Sequence, residues 1–168
     1  MQANEVADAA ANFLSKLQMI DQRLNVQVGE VVPDAGRFCE IFRTDHRNKP
    51  GAYWFFLANK PVFYIGKCDA NVWVRISAHA MAPVWEGNGP ANYKDGVGDG
   101  WVFPTSKYIA KASSEAMRSE IRQGNFHVGW AALGPEWGYC AALLEVYLQT
   151  LFATLNHGAL PELCRKIG

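Results

Sequence analysis

Apolar side chains recur every three or four positions near the start of the chain. Between residues 5 and 24 this spacing places Phe13, Leu17 and Ile20 on one stripe, with polar residues such as Lys16 outside it. The pattern predicts an amphipathic helix whose apolar stripe packs on the core of the protein rather than binding a partner.

The pattern changes to aromatic and β-branched residues at 52–57 and again at 62–65. The residues between these segments include 59–61, Asn-Lys-Pro, which are typical of a tight turn. Together they predict an antiparallel hairpin. A third segment of this kind, at 126–133, predicts one more strand.

Helical patterns occupy three further segments. Residues 70–81 favour a helix, a short helix is expected to begin after Ser114 and end at Gly124, and 138–155 is apolar on almost every side. The last of these helices should therefore be largely buried. The glycine-rich segment 83–106 predicts a long loop, which is often a functional feature.

The order of these elements predicts an α/β fold, with a small three-stranded antiparallel sheet flanked by helices and an extra N-terminal helix. A length of 168 residues suits one domain. We expect residues 1–49 to be an N-terminal helix and connecting segment packed on the core. Residues 50–157 would then form the main domain, and 158–168 a C-terminal tail.

Charge and cysteine content restrict the partners and the compartment. The formal net charge is zero, so a protein that binds nucleic acid would need its positive charge segregated locally, or a partner other than a long duplex. The cysteines are scattered without a Cys-x-x-Cys pair, which favours free thiols in a reducing cytosol. No secretory signal and no run of about 18 apolar residues is found, so we expect a cytoplasmic protein without a membrane span.

Glu145 is the candidate functional residue with the clearest physical argument. An ionised carboxylate beside Leu144 and Leu148 costs several kcal/mol unless it is paired or bound to a metal. It can form a structural salt bridge, for example to Arg75, or bind a cation at the edge of the core. Mg²⁺ often takes only one or two protein carboxylates, since water and phosphate oxygens complete its shell.

Other candidates lie on the hairpin and the helix that follows it. Tyr53 and Tyr64 can be core aromatics, or phenols that help to deprotonate water when a metal or guanidinium lies close. Arg75 and His79 are one helical turn apart; they can form a solvated helix face, or the arginine can grip phosphate through its planar fork. Lys67 adds a second possible phosphate contact.

These residues resemble the motifs of the GIY-YIG nuclease family. Gly51-Ala52-Tyr53 is similar to the first motif with alanine in place of isoleucine, and Tyr64-Ile65-Gly66 matches the second. Arg75 and His79 correspond to the arginine and the following histidine on the first helix of the family. Glu145 corresponds to the metal-binding glutamate, and the resemblance covers about residues 50–157.

The resemblance implies a metal-dependent endonuclease that hydrolyses DNA phosphodiester bonds, with double-stranded DNA as substrate and Mg²⁺, or Mn²⁺ in its place, as cofactor. Glu145 would bind the metal, and Asn156, at the end of the same helix, would support the site together with Gly66 and Lys67. The catalytic residues it implies are Tyr53, Tyr64, Arg75, His79 and Glu145.

Three other functions are compatible with the sequence. The domain could bind nucleic acid without cleaving it, although intact catalytic positions argue against that. It could be a specialised nuclease, either a restriction enzyme or an antibacterial toxin. It could also be a structural or regulatory protein in which Glu145 is merely salt-bridged. The sequence does not distinguish DNA from RNA or indicate an oligomeric state.

Overall fold

The computed structural model of the chain describes most of the elements expected from the sequence. The glycine-rich segment 83–106 and His79 lie outside the described residues, as does the irregular stretch 38–48. The described residues are 1–20, 30–37, 49–72, 74–76, 112–122, 125–164 and 167.

The described residues form a mixed α/β structure built on a four-stranded antiparallel sheet. Its strands are β1 (Glu30–Val32), β2 (Gly51–Leu57), β3 (Val62–Cys68) and β4 (Phe126–Ala132). Their spatial order is β1-β4-β2-β3, so β2 is paired on both sides and β3 forms one edge. The predicted hairpin and the third predicted strand are confirmed. The prediction of a three-stranded sheet is wrong by one strand.

The unexpected strand is β1, which pairs with β4 along its whole length from Glu30 opposite Ala132 to Val32 opposite Trp130. A strand of three residues is too short to show an alternating pattern of its own. Its pairing depends on the extended edge that β4 offers. Tertiary context, rather than local sequence, therefore decides its conformation.

The hairpin is closed by a residue in the left-handed backbone region. Asn59 has a φ of 59°, which asparagine tolerates better than most residues because its side chain bonds locally. The backbone N–H of Lys60 donates to the carbonyl of Leu57 at 2.9 Å. The turn residues thus set the register in which Tyr53 lies opposite Gly66.

The sheet separates two apolar cores. On one face the central β2 side chain Trp54 and the edge residue Ile65 pack against the helices at the two ends of the chain. On the other face Tyr53 and Phe55 pack with Ile76 and with residues that follow the glycine-rich segment. Because successive strand residues point to opposite faces, Tyr53 and Trp54 belong to different cores.

Three described helices surround the sheet: α1 (Ala3–Ile20), α2 (Glu115–Arg122) and α3 (Gly138–Leu155). The predicted N-terminal helix is confirmed over α1, and the last predicted helix coincides with α3. The Ser114 hydroxyl accepts the Met117 backbone N–H at 3.1 Å, which caps the start of α2 as expected.

Helix α3 is less buried than its composition predicts. One face, which includes Leu144 and Leu148, is inaccessible to solvent, whereas Tyr139 and Leu143 are 62% and 52% exposed. The expectation of a largely buried helix is wrong, since the sheet and α1 leave part of its surface uncovered. By length and composition alone Pro135–Leu155 could cross a membrane, but core helices of soluble proteins satisfy the same criterion.

Candidate active site

The two candidate tyrosines converge at Gly66 on the same face of the sheet. Tyr53 lies opposite Gly66, and Tyr64 precedes Gly66 by two positions, so all three share that face. A Cβ atom on Gly66 would lie 2.9 Å from the hydroxyl of Tyr53 and 2.9 Å from the hydroxyl of Tyr64. The absence of a side chain at this position therefore gives both phenols the space to meet.

We expect Gly66→Ala to destabilise the protein and displace the phenols. The added methyl group would also lie 2.8 Å from Cε1 of Tyr64, and overpacking of this kind costs about 1–3 kcal/mol. Urea unfolding of the two proteins measures the loss. Gly134→Ala is the matched control, because its methyl group would meet only the mobile end of the exposed Glu136 side chain. An equal loss of unfolding free energy in Gly66→Ala and Gly134→Ala would contradict the prediction.

Tyr53 and Tyr64 differ in their access to solvent. Tyr53 is fully buried, and desolvation raises the pKa of its phenol well above the ordinary value. Tyr64 raises it further, whereas the Arg75 guanidinium opposes the shift. Tyr53 is therefore a neutral phenol at physiological pH, and the partly exposed Tyr64 is the phenol that solvent can reach.

Arg75 is held beside the tyrosines by a capped helical turn. The Asn71 side chain accepts the backbone N–H of Val74 at 3.0 Å, and the Asn71 carbonyl accepts that of Arg75 at 3.1 Å. Asn71 is thus an N-cap that ties the turn to the end of β3. The exposed guanidinium acts electrostatically on both Tyr53 and Glu145, which links the phenols to the carboxylate.

Glu145 projects from α3 into a partly buried position at the edge strand β3. Desolvation raises the pKa of its carboxyl group; Lys67 lowers it, Asp69 raises it and Arg75 lowers it. Among the described residues, Glu145 has no ion-pair partner within 4.0 Å. The salt bridge to Arg75 that the sequence allowed is therefore replaced by a longer-range attraction.

Lys67 is engaged by a carboxylate that the sequence analysis did not single out. Its Nζ lies 2.7 Å and 2.6 Å from the two carboxylate oxygens of Asp69. The backbone of Asp69 also approaches the start of α3 so closely that a Cβ on Gly138 would lie 2.6 Å from its carbonyl oxygen. This contact positions α3, and hence Glu145, against the end of β3.

Asn156 is not brought to this cluster. It ends α3 eleven positions after Glu145, a separation of about 16 Å along a helix. Its side-chain amide donates to the Phe152 carbonyl at 2.6 Å, so its observed contact is with its own helix. It lines a groove of about 690 Å³ that also includes Phe63 and Met117 and does not include Glu145.

The described part of the chain contains no group of three or more histidine, cysteine, aspartate or glutamate side chains able to enclose a metal. The available donor is instead the single carboxylate of Glu145, with Asp69 close enough to perturb it. A hard oxygen donor of this kind suits Mg²⁺ when water and substrate phosphate supply the remaining ligands.

The site contains residues that the motif pattern did not reveal. Asp69 and Asn71 follow β3 directly, where acidic and amide residues are common in turns and carry no special signal. Gln149 was detectable, because it is a polar residue one helical turn after Glu145 in an otherwise apolar helix. The same rule that singled out Glu145 applies to it.

Comparison of the chain with protein-family models, with curated proteins and with solved structures gives no significant match in any of the three.

Proposed function

We propose that this protein is a metal-dependent endonuclease that hydrolyses DNA phosphodiester bonds at a GIY-YIG-like site. The observation that carries the proposal is that Arg75, which follows the edge strand β3, acts electrostatically both on Tyr53 of the phenol pair and on the half-buried Glu145. Tyr53 interacts with both Tyr64 and Arg75, and the positive charge of Arg75 also acts on Glu145. Arg75 thus links residues that are remote in sequence, and this link supports the combination that the motifs imply.

The fold supports the same proposal. A GIY-YIG-like arrangement requires the two tyrosine motifs on paired antiparallel strands and the glutamate on a helix that follows the next strand. Strands β2 and β3 carry the tyrosines, β4 pairs with β2, and α3 follows β4. Strand β1 and helix α1 are additions at the far edge and on one face of this unit.

We assign the two tyrosines different roles because their environments differ. Because Tyr53 is buried and neutral, we assign it to orienting Tyr64. Tyr64 is accessible and would contact the attacking water or a phosphate oxygen. Water then forms the new bond to phosphorus as the bond to the leaving oxygen breaks in line. The resemblance implies a catalytic role for His79, which lies outside the described residues, and we assign to it the proton of the attacking water.

Two positive groups would meet the phosphate. The exposed Arg75 guanidinium can form paired hydrogen bonds with two phosphoryl oxygens and offset the charge that develops on them. Lys67 would exchange its contact with Asp69 for one with phosphate. These residues place positive charge locally although the net charge of the chain is zero.

Glu145 is the residue that would hold Mg²⁺. Its desolvated carboxylate has no ion-pair partner among the described residues and would gain more from a cation than an exposed glutamate would. Bound Mg²⁺ supplies charge stabilisation at the phosphoryl group and the leaving oxygen.

Cleavage of supercoiled plasmid tests the function. Wild-type protein is expected to produce nicked and then linear DNA with Mg²⁺ and none with excess chelator. Tyr64→Phe is expected to lower the rate about 100-fold, since it removes the accessible hydroxyl. Tyr147→Phe is the control, because Tyr147 stacks on Phe13 of α1, remote from the phenol pair.

A wild-type protein without Mg²⁺-dependent nicking would refute the proposal, and equal rates for wild type and Tyr64→Phe would remove Tyr64 from the mechanism. Digestion of linear DNA adds information on specificity. Discrete fragments would indicate a restriction enzyme, whereas a continuous smear would indicate a broadly acting nuclease.

A further inference from the structure

Gln149 is the one buried polar side chain among the core residues of the described chain, with 3% of its surface exposed. Its side-chain nitrogen donates to the backbone carbonyl of Ile65 at 3.0 Å. The same nitrogen lies 3.4 Å from Oε1 of Glu145, one helical turn earlier. Burial of an amide is costly unless it is hydrogen-bonded, so these contacts hold Gln149 in one position.

The Ile65 carbonyl needs a partner because β3 is an edge strand. The backbone N–H of Ile65 donates to the sulfur of Cys164 at 3.4 Å, and its carbonyl accepts from Gln149 and from the Cys164 thiol, also at 3.4 Å. Side chains thus satisfy the edge that another strand would otherwise cover. Of these two side chains, Gln149 also contacts Glu145.

The Gln149 amide therefore joins two parts of the candidate site. Ile65 lies between Tyr64, one member of the phenol pair, and Gly66, over which the two phenols meet. Through Gln149 the backbone at this point is connected to the Glu145 carboxylate on a separate element. Without that connection the flexible glutamate side chain could rotate independently of β3.

We propose that Gln149 is a positioning residue that fixes the Glu145 carboxylate relative to Tyr64 and thereby determines how well that carboxylate binds a divalent cation. This inference rests on the proposed function of Glu145 as the metal ligand. Groups that orient a metal ligand typically change metal affinity by about 10- to 100-fold when removed. Gln149 would act through Glu145 and would not itself contact substrate.

Binding of Tb³⁺, a hard cation whose luminescence is sensitised by nearby aromatic side chains, provides a test without DNA. Gln149→Met keeps a similar shape and removes the donor. Gln149→Met is expected to lower the affinity for Tb³⁺, and the affinity for Mg²⁺ measured by competition with Tb³⁺, about 10-fold or more. The Tb³⁺ luminescence that is lost in Glu145→Gln is the luminescence of Tb³⁺ bound at Glu145.

Cys164→Ala is the matched control, because it removes the other side-chain partner of Ile65 and a long 3.9 Å contact with Gln149 but keeps the contact between Gln149 and Glu145. We expect it to lower stability and change Tb³⁺ affinity less than twofold. Equal losses of affinity in Cys164→Ala and Gln149→Met would overturn the inference, since the effect would then belong to the strand edge. Unchanged affinity in folded Gln149→Met would also overturn it.

A second measurement leaves Gln149 intact. Addition of the diamagnetic ion La³⁺ to the wild-type protein should shift the side-chain amide resonances of Gln149, and Glu145→Gln should abolish that shift. Absence of a shift while La³⁺ binds would overturn the inference. Plasmid cleavage is scored separately: a wild type that binds these cations as described and cleaves no DNA would refute the nuclease function while leaving the positioning role supported.

Discussion

Replacing Glu145 with glutamine is expected to lower Mg²⁺-dependent DNA cleavage at least about 1,000-fold without unfolding the protein. Glutamine has nearly the same shape but no charge to hold a cation. Single-turnover cleavage of a labelled duplex measures the loss. Glu136→Gln makes the same change at an exposed position and should cleave at the wild-type rate.

The stability of the Glu145→Gln variant distinguishes a functional role of Glu145 from a structural one. Because burial raises the pKa of Glu145, the folded state binds more protons than the unfolded state just above the ordinary glutamate pKa. The contribution of the Glu145 carboxyl group to the free energy of unfolding is therefore lost as the pH rises through its raised pKa. Glu145→Gln should remove that loss and be at least as stable as wild type at neutral pH. A marked destabilisation of Glu145→Gln would indicate a structural role for the carboxylate instead.

Arg75→Ala is expected to lower the single-turnover rate about 1,000-fold while weakening DNA binding far less. The guanidinium is exposed and coupled to both Tyr53 and Glu145, so its charge would act chiefly on the transition state. Arg75→Lys should recover only part of the rate, since lysine lacks the planar pair of donors.

The controls for Arg75 separate catalysis from charge and from folding. Lys60→Ala removes one positive charge from the exposed hairpin turn and should leave the rate unchanged. Anisotropy of a labelled duplex, measured without Mg²⁺ at fixed salt, reports binding. The free energies of unfolding of Arg75→Ala and Lys60→Ala, measured by thermal unfolding, should each agree with that of wild type within about 0.5 kcal/mol, as for other exposed positions. A rate loss matched by an equal loss of affinity would contradict a role in the transition state.

Much of the fold follows from local pattern. The hairpin of β2 and β3 was predictable because two aromatic and β-branched segments flank a turn with asparagine and proline. Helix α3 was predictable because it is long and apolar. The exposure of Tyr139 and Leu143 was not, because composition gives the hydrophobicity of a helix and not the number of elements available to cover it.

A residue of the candidate site could be predicted from the sequence where its polar or charged side chain is unfavourable among its apolar neighbours. Glu145 stands out because a carboxylate is unfavourable among leucines. Asp69 does not, because an acidic residue after a strand is ordinary, and its contact with Lys67 depends on the path of the chain beyond β3. Asn156 was predicted to support the site from the resemblance alone. The length of α3 between Glu145 and Asn156 keeps it away from Glu145.

The central place of β2 has a consequence for the fidelity of folding. A slip of one residue would turn Tyr53 to the face of the sheet occupied by Trp54 and separate it from Tyr64. Such a slip would have to break the ladders with β3 and β4 together, because β2 is paired on both sides. Molecules with a misaligned site should therefore fail to fold, and would not persist as folded but inactive protein.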